Sequence, residues 1–259
     1  MSDALPGTPE GDGAERVVLL HGFGGSARSW SAVTEQLELP RLALDLPGHG
    51  AAVDREDLST VDARNAVIAT LDARGIERAH LVGHSRGGAV AFLVAARVPG
   101  RIASLTLIAP GGCGEEIDAY GLSAFTEART EGELRTAMGR LYAPARPSRP
   151  AIREEARHRL DERVVPALRT IREGMIRDGK QGVLDLSLLA DAPYPITVLW
   201  GDRDAVLPVL QAEHVRVALP RADVRIIPNA GHMLPAETPK AIADAVRSQF
   251  RTNRNLPIG

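Results

Sequence analysis

The sequence predicts an α/β protein: a mostly parallel, doubly wound sheet interrupted by one long helical insertion. Three observations carry that expectation. Short, continuous apolar runs recur at 17–20, 79–82, 105–108 and 196–200, each leading into Gly, His, Pro or Asp, as strands buried on both faces of a parallel sheet do. Helix-period stretches separate the runs, the alternation that builds layered α/β folds. Between 111 and 193 this rhythm stops, no strand is legible, and charged helical stretches such as 150–177 take over.

The elements follow in chain order. The first fourteen residues, MSDALPGTPEGDGA, are acidic and rich in Gly and Pro and read as a flexible tail. Only sixteen residues precede Val17, which leaves little chain for leading antiparallel strands, so the sheet is expected to be shortened at its N-terminal edge. The run at 17–20 enters the glycine-rich stretch GFGGSA, and a less continuous strand is expected at 41–44. Residues 59–75 read as a helix, with Val61, Val67, Ile68 and Leu71 near helical spacing, Ser59 and Asp62 as a capping box, and Gly75 as its stop. The run at 79–82 leads into a helix beginning near Gly87, and the run at 105–108 closes the first half. After the insertion come the run at 196–200 and a further strand at 224–227. The closing helix has Thr238 as N-cap and Pro239 at its first turn, with Ile242, Ala245, Val246 and Phe250 on one face. The domain organisation is thus a tail at 1–14, an α/β core at 15–110 and 194–259, and a helical cap at 111–193.

Charge and composition narrow the partners. A formal charge of −2 and a pI near 6.4 exert no global pull toward nucleic acid or anionic membrane. The insertion carries twelve Arg and one Lys against fourteen acidic residues, a mixed surface rather than an anion-binding one. Lys180 and Lys240 are the only lysines, so an isolated arginine carries little information. Cys113 is alone and cannot form an intramolecular disulfide, no Cys/His spacing suggests zinc, and no signal peptide or membrane helix is legible. The expectation is a cytoplasmic protein with a small-molecule substrate, no cofactor, no metal, and no nucleic-acid or membrane partner. A homo-oligomer is compatible with the sequence but not indicated by it.

The chemistry concentrates in Gly83-His84-Ser85-Arg86-Gly87, a G-x-S-x-G placed where an apolar strand meets a helix. A serine hydroxyl becomes a useful nucleophile when a sharp turn projects it toward a base, and flanking glycines permit that turn. Downstream lie Gly201-Asp202-Arg203-Asp204 and then Gly231-His232-Met233, each after a strand, giving the order Ser, Asp, His. His232 would take the proton from Ser85, and a buried carboxylate would orient the imidazole. Separations of 119 and 28 positions leave the fold to bring them together.

On HGFGGSARSW, LALDLPGHG, GIERAHLVGHSRGGAVAF, SLTLIAPGG, VLWGDRD and NAGHM, the chain resembles the α/β-hydrolase superfamily along nearly its whole length from Val17. Within it, it looks like the hydrolase-like module of the acetyltransferase component of acetoin dehydrogenase complexes. The resemblance implies a Ser85-Asp204-His232 triad, with Asp202 as the competing acid and Glu115 or Glu116 as a further placement seen in some relatives. It implies an oxyanion hole from the backbone N–H groups of Phe23 and Arg86. It implies hydrolysis of a small carboxylic ester, with thioesters and lactones close behind. No lipoyl domain is attached, which argues against carrying acetyl transfer over. Arg86 stands where many relatives hold an apolar residue, and relatives that dehalogenate fluoroacetate use an arginine at this place to hold the substrate carboxylate. Its side chain is expected either to contact an acidic group on the substrate or to pair with a carboxylate of the insertion. His21 and His49 read as structural hydrogen-bonders, His84 as a neighbour that cannot be the base, Asp45 as a loop former, and Cys113 as a small apolar residue. The alternatives are acyl transfer or carbon–carbon cleavage with the same triad, a ligand receptor without catalysis, and an NAD-dependent oxidoreductase. The last reads GFGGSA as G-x-G-x-x-A, with Asp45 eighteen residues past Ala27 as the ribose-binding acid.

Overall fold

The computed structural model describes residues 4–143 and 147–254. Along the chain, strands β1 (Gly7–Glu10) and β2 (Glu15–Leu20) precede the one-turn helix α1 (Ser31–Thr34) and strand β3 (Arg41–Leu44). Helix α2 (Thr60–Ala73), strand β4 (Arg78–His84), helix α3 (Arg86–Arg97) and strand β5 (Ile102–Ile108) complete the first half. The insertion holds α4 (Ala119–Glu127), α5 (Glu131–Gly139), α6 (Arg149–His158) and α7 (Val164–Met175), followed by a two-residue ribbon of β6 (Ile176–Arg177) and β7 (Lys180–Gln181). Strand β8 (Ile196–Gly201), helix α8 (Gln211–Ala218), strand β9 (Asp223–Ile227), the short α9 (Leu234–Glu237) and α10 (Pro239–Arg254) return to the sheet.

The seven-stranded sheet runs β1-β3-β2-β4-β5-β8-β9. All its pairings are parallel except that of β1 with β3. The four apolar runs form its centre: Val17 to Leu20 and every residue of β5 are buried, and each fully buried Leu, Ile or Val contributes about 1.5–3 kcal/mol through removal from water. Helix α2 starts where the capping box places it, with Asp62 N–H donating to Ser59 Oγ (3.0 Å), and ends ahead of Gly75 at φ +59°. Its buried face comprises Ala63, Ala66, Val67, Thr70 and Leu71, whereas Val61 is about half exposed.

Two expectations need correction. The segment taken as a flexible tail is a strand over Gly7–Glu10: it pairs antiparallel with β3, Arg41 forms an ion pair with Glu10, and Leu5 is buried with its N–H on Thr70 Oγ1 (2.7 Å). Residues 1–3 lie outside the described residues. A polar edge strand containing Pro9 covers an otherwise open edge of β3, so the shortening expected there is offset by one antiparallel strand. The insertion is also not wholly helical, because β6 and β7 form a ribbon at its exit.

The insertion packs against loops that leave the C-terminal ends of strands. Phe125 of α4 meets Gly24, Ile171 and Ala167 of α7 surround Gly48, and the carbonyl of Leu141 accepts the N–H groups of His232 (2.8 Å) and Met233 (3.1 Å). This is the edge of the sheet where α/β proteins bind ligands.

Candidate active site

Ser85 occupies the turn between β4 and α3 with φ 52° and ψ −119°. A side chain other than glycine rarely adopts such a backbone, at a cost of about 1–3 kcal/mol. The surroundings hold it there. Ser85 N–H donates to the Ile108 carbonyl (2.9 Å), and the Ser85 carbonyl accepts from Gly88 (2.9 Å), Ala89 (3.1 Å) and Gly111 (3.0 Å). Gly83 and Gly87 are required by close approach: a Cβ at Gly83 would overlap the Gly87 carbonyl, and one at Gly87 would overlap the Leu20 carbonyl on the neighbouring strand. Among buried neighbours Ser85 itself is half-buried, so the turn presents the hydroxyl rather than enclosing it.

Asp204 and His232 come together across 28 residues. The loop after β8 turns Asp204 inward, where Oδ1 accepts the N–H groups of Val206 (2.8 Å) and Leu207 (2.9 Å) while Oδ2 accepts from His232 Nδ1 (2.8 Å). Both residues are buried. The exposed Asp202 instead accepts from Ala230 N–H at 3.3 Å, Glu115 pairs with Lys180 (2.6 Å), and Glu116 faces Gln211. The Ser85 hydroxyl makes no hydrogen bond to His232 here; such contacts often tighten only around a substrate. The two segments are nonetheless joined, since His84 Nε2 donates to the His232 carbonyl (2.8 Å) with the rings 4.9 Å apart. Burial drives the His84 pKa down to about 3, so it sits as a neutral bridge.

The loop after β2 lies against the turn. A Cβ placed on Gly22 would lie 3.2 Å from Ser85 Cβ and 2.9 Å from His84 Nδ1. Among the described residues the next N–H, that of Phe23, has no acceptor, and neither has that of Arg86 at the first turn of α3. Two free backbone donors beside a projecting hydroxyl can hold a developing oxyanion.

His21, His49 and Asp45 brace this loop. His21 Nδ1 donates to the Gly22 carbonyl (2.7 Å) and its Nε2 accepts from Leu46 N–H (3.0 Å). His49 Nδ1 donates to the Pro47 carbonyl (3.0 Å) and its Nε2 accepts from Gly24 N–H (3.0 Å). Burial pulls His21 down to about 4 and His49 well below its ordinary range, so both are neutral, as these bonding patterns need. Asp45 accepts from Ala27 N–H (2.7 Å) and Ala51 N–H (3.0 Å). Its two oxygens shape the loop instead of awaiting a ribose.

Glu237 escaped the sequence reading. One carboxylate oxygen accepts the N–H groups of Gly231 and Ala143, each at 3.0 Å, and the other accepts that of Met233 (3.1 Å). It therefore fastens both flanks of His232 to the insertion. Its only trace in the sequence is an acid five positions after the histidine, ahead of Thr238-Pro239.

Arg86 is buried; among the described residues its side chain makes one hydrogen bond, from Nη2 to the Leu58 carbonyl (2.9 Å), while Nε and Nη1 are buried without a partner. The pairing with a carboxylate of the insertion, one of its two expected environments, is not formed. Burial alone lowers its pKa to about 10. Cys113 is enclosed, and burial pushes its thiol up to about 12. A groove of about 820 Å³ adjoins the site, lined in part by Phe23, Phe125, Met138, Leu141, Tyr142 and Met233. Among the described residues no cluster of three His, Cys, Asp or Glu could hold a metal ion, and no helix is long and apolar enough to cross a membrane.

A family model described as "Alpha/beta hydrolase family" matches residues 17–245. The chain is 39% identical over 239 residues to the dihydrolipoyllysine-residue acetyltransferase component of the acetoin cleaving system of Pseudomonas putida, covering 90% of this chain and 62% of that relative's length. Among solved structures, the meta-cleavage product hydrolase from Pseudomonas fluorescens IP01 superposes with a TM-score of 0.83 at 21% identity, over 95% of this chain and 93% of the other. A thermophilic esterase from Thermogutta terrifontis gives 0.78 at 24% identity, over 96% and 93%.

Proposed function

The chain belongs to the alpha/beta hydrolase family, and from that premise we propose that it is a serine hydrolase cleaving a small-molecule ester through a covalent acyl-enzyme. The observation that carries this reading is the buried Asp204–His232 hydrogen bond, tied through His84 to the strained turn that presents Ser85. His232 Nε2 removes the hydroxyl proton as Ser85 Oγ attacks the carbonyl carbon, and the N–H groups of Phe23 and Arg86 hold the oxyanion. Asp204, fixed by Val206 and Leu207, keeps the proton of neutral His232 on Nδ1 and stabilises the imidazolium that forms. That imidazolium then protonates the leaving alkoxide. Water, deprotonated by His232, releases the acid and regenerates Ser85. Thioesters and lactones suit the same steps, and the helical insertion acts as a cap that limits water and substrate size.

Acyl transfer is a second reading, favoured by identity to an acetyltransferase component of which this chain spans 62%. Carbon–carbon cleavage would use the same residues. Purified protein assayed on 4-nitrophenyl esters of graded acyl length tests the first reading: Ser85→Ala or His232→Ala should lose several orders of magnitude in kcat. Product analysis with a competing thiol separates hydrolysis from transfer. Ser85→Ala that keeps most of the activity would exclude the mechanism.

A further inference from the structure

We propose that Arg159, in the insertion, is a positioning residue for the oxyanion hole: its guanidinium holds the Phe125 ring against Gly24, and that contact fixes the place of the Phe23 N–H. The inference rests on the hydrolase reading and adds to it a residue remote from the reacting atoms. Phe23 and Gly24 are the two central residues of a turn closed by Gly25 N–H on the Gly22 carbonyl (3.1 Å). Gly24 takes φ +71°, as the third position of a type II turn requires. It therefore cannot shift without carrying Phe23 with it. A Cβ at Gly24 would overlap Phe125 Cε1 and lie 2.9 Å from Cζ, so the ring rests on bare main chain. Phe125 is 5% exposed, and its ring meets that of Phe23 edge-on with 6.2 Å between centroids.

The turn is thus gripped from two sides. On the core side His49 Nε2 accepts the Gly24 N–H (3.0 Å) and Asp45 accepts that of Ala27 (2.7 Å). On the insertion side the grip is the Phe125 ring. A hydrogen bond fixes a direction, whereas an apolar contact fixes only a distance, so the ring must itself be held for the turn to keep its place.

Arg159 supplies that hold. It follows α6, its side chain is 3% exposed, and its guanidinium carbon lies 4.6 Å from the Phe125 ring centroid. Nη1 donates to the carbonyls of Thr126 (2.9 Å) and Ala128 (3.3 Å) at the end of α4, and Nε donates to Glu155 (2.8 Å). Nη2 is buried and, among the described residues, has no acceptor. A guanidinium that merely closed the end of α4 could keep its spare N–H groups in water. This one gives up that solvation to lie over a ring, where removal from water strengthens its attraction to the π face. Phe125 and Glu155 line the groove and Arg159 does not, so substrate can meet the ring but not the guanidinium.

The magnitude follows from distance. Losing one oxyanion donor outright lowers kcat by about 10²–10³, and a misplacement near 1 Å lowers it by up to about 10². Releasing the ring should fall in the lower range. Because the oxyanion forms only in the transition state, KM should barely move.

The test measures the rate at which a fluorophosphonate labels Ser85, since its phosphoryl oxygen takes the oxyanion's place, alongside steady-state kinetics on 4-nitrophenyl butyrate. Arg159→Met, which keeps the aliphatic packing, should be labelled about tenfold more slowly or worse and lose about tenfold or more in kcat, with KM within about threefold. Phe125→Leu, which keeps apolar volume but withdraws the ring, should be slowed comparably. Adding Arg159→Met to it should slow labelling by less than about threefold further, because the group through which the guanidinium acts is gone. Labelling of folded Arg159→Met at the wild-type rate, or full additivity of the two substitutions, overturns the proposal and leaves the hydrolase reading standing. Should Arg159→Met fail to fold, Arg159→Gln takes its place in the same cycle, and a wild-type labelling rate in it or in Phe125→Leu overturns the proposal. A folded wild type that takes no label removes the hydrolase reading itself, and the proposal with it.

Discussion

Replacing Asp204 by Asn should silence the enzyme while barely disturbing the fold, and the hydrogen bonds say why. Asp204 Oδ1 accepts two backbone N–H groups and Oδ2 accepts one imidazole N–H. In the amide, one of these atoms becomes an NH₂ donor. Set at the Oδ1 place it would face the N–H groups of both Val206 and Leu207; at the Oδ2 place it faces only a histidine, which can change tautomer. The amide oxygen therefore stays with the backbone, and the NH₂ points at His232 Nδ1. His232 then accepts there and carries its proton on Nε2, where it cannot take one from Ser85. A misdirected tautomer of this kind costs about 10⁴ in kcat in other triads, or about 5 kcal/mol of transition-state stabilisation at 1.36 kcal/mol per tenfold. Both backbone bonds survive, so destabilisation should stay below about 1.5 kcal/mol, a Tm shift of no more than about 6 °C in a chain of this size. Steady-state kinetics on a chromogenic ester, with calorimetry on the same sample, provide the assay. Asp202→Asn serves as the control and should keep near-wild-type kcat. A folded Asp204→Asn enzyme retaining more than about a tenth of kcat would refute the reasoning.

Other consequences follow from the same geometry. Glu237→Gln removes a charge from three N–H bonds and sets an NH₂ group against one of the donors. Because Glu237 is only half-buried, the cost should be about 2–3 kcal/mol, seen as a lower urea midpoint, with kcat falling more than KM rises as the His232 loop loosens. Acid should destabilise the protein before its carboxylates protonate. His21 and His84 titrate near 4 and 3 when folded because burial disfavours their charged forms, against 6.5 when unfolded. Below pH 6.5 the unfolded chain thus binds protons that the native state refuses, and stability is lost as pH falls from about 6.5 toward 3–4. Tm measured against pH should show this slope, and His84→Gln should flatten it. Cys113, with its thiol pushed up to about 12, should resist Ellman's reagent at pH 8 in the native protein and react once per chain in denaturant. A fast native reaction would show that the thiol is accessible after all.

The four central strands were legible because each is a run of apolar residues buried on both faces, a pattern that needs no partner to be recognised. Strand β1 had no such signature: Thr8, Pro9 and Glu10 are all exposed, so nothing in their polarity separates an edge strand from a tail. The two-residue β6–β7 ribbon is below the length at which alternation can register. At the site, the turn that carries Ser85 was readable because local backbone sterics require glycines around it, and Asp204 lies within hydrogen-bond distance of His232. Glu237 and the Leu58 carbonyl were not readable for a shared reason. Glu237 serves main-chain N–H groups, one of them 94 positions away, and Arg86 is tethered to a main-chain oxygen 28 positions away. Backbone partners leave no residue type for a motif to record.

The central claim, that Ser85 is a nucleophile activated by His232, is tested most directly by intact-mass analysis after treatment with a fluorophosphonate probe. The account predicts one phosphonyl adduct per chain, mapped to Ser85, absent from Ser85→Ala and formed far more slowly in His232→Ala. No adduct on the folded wild type, or equal labelling of Ser85→Ala, would contradict it.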